Sequence, residues 1–319
     1  MSILSKPAKF SAAIVLLLLI STGLYGQNEA QTLEFILRNA EKQAIAYQAG
    51  FKDLIAKETK TFQTFRRNGE LRKQKIIESN FLVFQSARDA DLVTEFRDVT
   101  KVNGKPVENK RKTPEEFFEK VEKVASIDDE LRRIQAESSR FDDTLEINGL
   151  TLFQGLILSA HLRPFFEFKI EKEEAIGGNE ILVISYRQIK PTKFITSDAK
   201  VARSNDLSFY FEVPAAFRKK DLFLNGTLRI DAKTFQLVGE ERELFIVSDQ
   251  KSRIARMEFN YQPSDYGFLV PKKIVLIQYQ TNGGEYAEDS KQIQVTFEYS
   301  KFTKTRVEVK ILDDEPAEI

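Results

Sequence analysis

The chain has 319 residues, with 48 Lys and Arg balanced by 48 Asp and Glu, a single His, and neither Cys nor Trp. Without Cys there are no disulfides, thiolate metal sites, thiol catalysis or cysteine-linked lipid anchors, and one His excludes motifs built on a His pair. Balanced charge argues against a nucleic-acid binder, which needs a basic excess, and the length fits one large or two ordinary domains.

Lys6 and Lys9 precede an apolar run from Ser11 to Leu24, wholly aliphatic from Ile14 to Ile20, and small residues follow at Ser21, Gly23 and Gly26. This three-part plan predicts a secretory signal peptide over 1–26, cleaved after Gly26. The run is shorter than the roughly 20 apolar residues of a spanning helix. Cleavage removes two Lys and no acids, leaving 46 basic and 48 acidic residues. The mature chain is expected to be periplasmic or secreted, with no transmembrane anchor and only its core for stability.

Next comes a helix over 31–50, where Leu33, Ile36, Leu37, Ala40, Ala44 and Tyr47 recur at helical spacing. Segments 52–66, 74–86 and 91–102 read as three strands. Asn-Gly pairs suit tight hairpin turns and stand at Asn68-Gly69, Asn103-Gly104, Asn148-Gly149, Asn225-Gly226 and Asn282-Gly283, with Gly177-Gly178-Asn179 as a further turn. Thr113-Pro114-Glu115-Glu116 is a capping box. It opens a helix carrying Phe117, Phe118, Val121 and Val124 on one face. A second helix points Ile127, Leu131 and Ile134 inward. A third, from about Leu150 to Leu162, is apolar nearly all round and must be buried. These three form a helical insertion over 113–162.

Beyond the insertion, apolar and polar residues alternate cleanly. Phe166, Phe168 and Ile170 share one face, as do Ala255, Met257, Phe259 and Tyr261, then Ile293, Val295, Phe297 and Tyr299, and then Val307, Val309 and Ile311. Segments 181–186, 207–213, 222–231, 235–247 and 269–279 read as further strands. One wet and one dry face mark an antiparallel sheet. The expected fold class is α+β, a single domain over 27–312 with an acidic tail at 313–319.

No Gly-x-Ser-x-Gly elbow, phosphate loop or Gly-x-Gly-x-x-Gly turn occurs. His161 reads either as a base for Ser159 or, more ordinarily, as a cation at a helix C-terminus. The carboxylates of Asp128-Asp129-Glu130, Asp142-Asp143, Glu240-Glu241 and Asp313-Asp314-Glu315 read as solvated surface rather than as acid/base pairs or cation ligands. No catalytic residue, metal ligand or cofactor is expected. Arg66-Arg67 with Arg72, Lys73 and Lys75, and Lys105 with Lys110-Arg111-Lys112, are basic clusters beside Asn-Gly turns. They are exposed hairpin tips, or contacts to anionic lipid headgroups or an acidic partner. Asn225-Gly226-Thr227 matches a glycosylation sequon and reads as turn chemistry.

Phenylalanine is abundant, at 26 residues, and much of it lies on the dry side of strands. A filled core explains this, and so does an apolar groove beneath loosely covering helices. In a groove, an acyl chain of ~14 carbons has a gross gain near ~11 kcal/mol, at about 0.8 kcal/mol per buried methylene. The candidate groove residues are Leu152, Phe153, Leu156 and Ile157 on the all-apolar helix, which would plug or gate the groove, with Phe209, Phe211, Phe259 and Phe297 on strands. An outer-membrane barrel is disfavoured by the helices, the missing Trp and the acidic end.

Asn225-Gly226-Thr227-Leu228-Arg229-Ile230-Asp231-Ala232-Lys233-Thr234-Phe235-Gln236-Leu237 resembles a hairpin of the outer-membrane lipoprotein carrier (LolA/LolB-like) superfamily. Glu240–Phe245, Phe259-Asn260-Tyr261, Leu269-Val270-Pro271-Lys272-Lys273 and Val295–Phe302 fit the same context. Upstream, Phe96-Arg97-Asp98-Val99 and Val102–Val107 look like a front hairpin of exported bacterial relatives. The resemblance covers about residues 222–302 most clearly. It implies a curved antiparallel half-barrel of about 10–11 strands, with an N-terminal helix and the helical insertion over its concave face. It also implies a periplasmic carrier of acyl chains. The expected function is binding of a lipid, a lipoprotein acyl chain or another apolar ligand, without enzymatic activity. A filled-core envelope protein that binds other proteins is the alternative, and a carboxylate-dependent glycan-acting enzyme is the third reading.

Overall fold

The computed structural model describes residues 32–52, 54–85, 93–108, 126–142, 151–152, 154–198, 209–211, 213, 217, 220–247, 251–282 and 285–304. The signal peptide, the capping-box helix, Asn148-Gly149, Phe153, the strand at 307–311 and the acidic tail lie outside them.

Helix α1 (32–51) leads into three long strands, β1 (Leu54–Phe65), β2 (Leu71–Gln85) and β3 (Val93–Val102), and a two-residue β4 (Lys105–Pro106). Helix α2 (Ile127–Ser138) follows, its first turn capped by the Ser126 hydroxyl, which accepts from Asp129 N–H. Then come β5 (Phe166–Ile176), β6 (Asn179–Gln188), β7 (Ile195–Thr196), β8 (Phe209–Tyr210), β9 (Leu222–Asp231), β10 (Leu237–Val247), β11 (Lys251–Gln262), β12 (Val270–Asn282) and β13 (Glu285–Lys304). Eleven strands form one open antiparallel sheet in the order β4-β3-β2-β1-β13-β12-β11-β10-β9-β6-β5, while β7 and β8 pair in parallel apart from it. The fold is α+β, as expected.

The first and last long strands meet at the centre, with Glu58 opposite Tyr299 and Lys60 opposite Phe297. Both edges are blunted against further pairing. Strand β4 is short and carries Pro106. Strand β5 is studded with charge and braced by Lys169–Glu171 and Lys172–Glu174 contacts of 2.8 and 2.7 Å.

The sheet wraps its contents. β3 and β10 stand six strand spacings apart, about 29 Å if flat. Yet Thr151 N–H donates to Glu95 on β3 and Gly155 N–H donates to Glu240 on β10. Four residues reach at most about 14 Å, so the sheet is bent around this segment. Helix α1 closes the bend. Its Phe51 faces Phe81 of β2 and its Tyr47 faces Tyr261 of β11.

Three sequence expectations need correction. The described residues of 151–165 are turns and two short 3₁₀ segments, Leu156–Leu158 and Arg163–Phe165, not an α-helix. Gly155 sits at φ 57°, the left-handed region, and stops a right-handed helix there. Asn225-Gly226 is not a turn but the middle of β9. A Cβ on Gly226 would lie 1.9 Å from Glu241 O and 2.5 Å from Tyr186 Oη, so the glycine permits a close approach. The turn of that hairpin falls at 232–236, where the Asp231 carboxylate accepts from Lys233 and Thr234 N–H. Finally, among the described residues of 207–213, Phe209–Tyr210 form β8 of the small parallel pair, not a strand of the main sheet.

Candidate functional site

The candidate site is the concave interior and the segment lodged in it. Leu152, Leu156, Ile157, Leu158 and Leu162 are buried, and all join one apolar cluster with the inner faces of the strands and α1. A buried segment outside helix and sheet must find partners for its backbone elsewhere. Here side chains supply them from both sides. From α1, Tyr47 Oη donates to Thr151 O at 2.7 Å and Gln48 Nε2 to Leu152 O at 3.0 Å. Glu41 accepts from Ala160 N–H at 2.7 Å and from Arg163 Nη2 at 2.8 Å. From the sheet, Glu95 accepts from both Thr151 N–H and Oγ1, at 2.7 and 2.6 Å. Glu240 accepts from Gly155 N–H at 3.3 Å. We call residues 151–162 the plug.

Glu95 and Glu240 each belong to a buried charge cluster built on the same pattern, a Glu and an Arg two residues apart on the inward face of one strand. On β3, Arg97 Nη2 donates to Glu95 at 2.9 Å, and Arg97 Nε donates to both oxygens of Glu58 on β1, at 2.9 and 3.1 Å. Its guanidinium lies 5.2 Å from the Phe81 ring centre and 5.5 Å from that of Phe297. On β10, Arg242 grips Glu240 with two bonds of 2.7 and 2.8 Å and lies 4.4 Å over Phe259. Burial works against each guanidinium's charge, but the facing carboxylates prevail and hold both above the ordinary arginine range. Burial first, and neighbouring acidic groups second, raise Tyr47, Tyr186, Tyr261 and Tyr299. Arg97 Nη1 is buried with no hydrogen-bond partner among the described residues.

A third ion pair seats the end of α2. Lys60 donates to Asp142, and Lys75 donates to Phe141 O at 3.0 Å. Burial, reinforced by Arg97, lowers Lys60, and burial raises Asp142 against the pull of Lys60. Asp142 therefore keeps its proton in the folded chain at pH values where the unfolded chain has lost it, from about pH 4 upward. The unfolded state binds fewer protons there, so this group makes stability fall as pH rises through that window. Urea unfolding of wild type and Asp142→Asn at stepped pH is expected to show the falling component only in wild type. A stability difference between the two that does not change with pH would contradict it.

The interior gathers most of the candidate groove residues into one cluster. Leu152, Leu156, Ile157, Phe211, Phe259 and Phe297 are buried, and Phe209 is half-buried against them. Phe259 and Phe297 lie under Arg242, Lys60 and Arg97, so the floor is cationic as well as aromatic. Two carboxylates read as solvated surface are corrected. Glu240 is 1% exposed because its partner Arg242 shares its inward parity, and Asp142 is tied to buried Lys60. Sequence reading gave no role to Glu58, Lys60 and Glu95, and named Arg97 only within a resembling hairpin. The available signal was charge at dry-face positions of β1 and β3. His161 is exposed in a turn, while Ser159 Oγ is buried without a hydrogen-bond partner among the described residues, so the two form no catalytic pair. No described helix is long and apolar enough to cross a membrane.

No family model matches the sequence, and no curated protein matches it. Solved structures do resemble the chain. One is a domain from Vibrio parahaemolyticus described as an outer membrane lipoprotein-sorting protein, with 9% identity and TM-score 0.32 over 84% of this chain and 94% of that one. Another is a DUF1329 family protein from Desulfovibrio piger, with 7% identity and TM-score 0.32 over 85% and 94%. A LolA superfamily protein from Nitrosomonas europaea aligns at 9% identity and TM-score 0.29 over 82% and 94%.

Proposed function

We propose that the chain is an exported, non-enzymatic carrier that shelters an acyl chain or a similar apolar ligand in the bent sheet after the plug withdraws. One observation carries this reading. The apolar side chains of the plug are buried, yet beyond single-turn bonds such as Leu158 N–H to Gly155 O its backbone is held by side chains of α1 and the sheet rather than by a long helix or a strand pairing. Such a segment can leave without unravelling a regular element. A ligand then takes the place of Leu152, Leu156 and Ile157 against the aromatic floor. The unmet N–H of Arg97 offers a donor to an ester or amide carbonyl at the head of the chain. Of the carboxylates a glycan-acting enzyme would draw on, Glu240 and Asp142 are engaged by Arg242 and Lys60.

The purified protein is expected to carry lipid in native mass spectrometry and on solvent extraction, or to take up fluorescent fatty acids or lipopeptides. A lipid-free protein that takes up neither overturns the proposal. That outcome favours the second reading, a filled-core envelope protein that binds other proteins. Its support is that the candidate groove residues already pack with the plug in one cluster.

A further inference from the structure

We propose that the β1–β2 hairpin tip docks the protein on an anionic bilayer surface, with headgroup phosphates taken by the guanidinium groups of its cleft. The site is separate from the interior and does not depend on an acyl ligand there. Residues 66–74 are all exposed, and they hold Arg66, Arg67, Arg72 and Lys73 against the single acid Glu70. Glu70 is engaged by Arg66 at 3.2 Å. A cleft of about 470 Å³ is lined by Phe65, Arg66, Arg67, Arg72, Gln280 and Gln292. Its wall is braced, because Gln280 Nε2 donates to Arg66 O and Lys291 O, both at 2.9 Å. Lys291 adds a cation 6.0 Å from the Phe65 ring centre.

Two features favour a bilayer over an acidic protein. Pairing of β2 with β3 ends at Ile77–Val102, so residues 71–75 project beyond β3. Next to Arg72 in sequence, Leu71 is 50% exposed. An exposed apolar side chain on a hairpin tip that also carries guanidinium groups suits the boundary between headgroups and acyl chains. Each cation near such a surface strengthens binding about fivefold at modest ionic strength.

The test is co-sedimentation of the full chain with vesicles of phosphatidylcholine alone or mixed with phosphatidylglycerol. Wild type is expected to bind the mixed vesicles, to bind phosphatidylcholine far less, and to be released by high salt. Arg67→Glu/Arg72→Glu is expected to bind at least tenfold more weakly with an unchanged circular dichroism spectrum, and Leu71→Ser to lose part of the binding. The salt titration of wild type stands whether or not the double variant folds. Failure of wild type to bind mixed vesicles, equal binding to both vesicle types, or a folded double variant that binds like wild type would each overturn the docking site. Binding of inorganic phosphate without vesicle binding would also overturn it.

Discussion

Replacing Arg97 with methionine is expected to remove about 3–5 kcal/mol of stability, a large share of the roughly 5–15 kcal/mol that holds a domain together. Arg97 donates to Glu58 and Glu95, and all three side chains are at most 1% exposed. Methionine fills much of the volume between Phe81 and Phe297 but neutralises neither carboxylate. Two negative charges then remain in a low-dielectric interior, with Lys60 the nearby cation among the described residues. Lys60 is itself committed to Asp142. Urea unfolding followed by far-ultraviolet circular dichroism measures the loss, and the missing Trp makes that probe preferable to fluorescence. A triple variant, Arg97→Met/Glu58→Leu/Glu95→Gln, is expected to recover most of it, because a buried charge cluster is often replaceable as a whole and never by halves. A single variant within about 1 kcal/mol of wild type would mean that water reaches the cluster.

The same residues show how far the sequence was legible. Strands β1, β2, β5 and β9–β13 follow from alternation, because a bent sheet with one dry face imposes period two, while β3 and β6 carry runs buried on both faces, Thr94–Val99 and Ile181–Ile184. Parity also places Phe259 and Phe297 inside correctly. It fails at Glu58, Lys60, Glu95, Arg97, Glu240 and Arg242, because a search for apolar residues counts charges as outward by default. Only pairing across strands neutralises them, and pairing is not visible in one strand at a time. The plug was legible as buried and illegible as structure. Leu156-Ile157-Leu158 is too short an apolar run for periodicity to separate helix from any other buried path. Gly155 was the one residue that argued against a helix, and it does so by adopting φ 57°. Asn225-Gly226 misled for a related reason. Glycine serves tight turns and close approaches alike, and here Tyr186 over the strand decides for the second.

Weakening the α1 side of the plug is expected to open the interior without unfolding the sheet. Tyr47→Phe, Gln48→Leu and Glu41→Leu together delete the bonds to Thr151 O, Leu152 O, Ala160 N and Arg163. None of the three leaves a buried charge alone within the sheet, since Glu95, Arg97, Glu240 and Arg242 keep one another. Three of these bonds hold plug backbone, so at about 1 kcal/mol each the closed state loses roughly 3 kcal/mol and the open population rises on the order of a hundredfold. Amide hydrogen exchange is expected to accelerate by that factor at 154–158, while the central amides of β1, β12 and β13 exchange as in wild type. Fluorescent acyl ligands are expected to enter faster in the same variant. If exchange at 154–158 is unchanged, the side chains of α1 are not what retains the plug. If exchange accelerates but ligand entry does not, the plug retains itself and gates nothing, and the interior is a core rather than a groove.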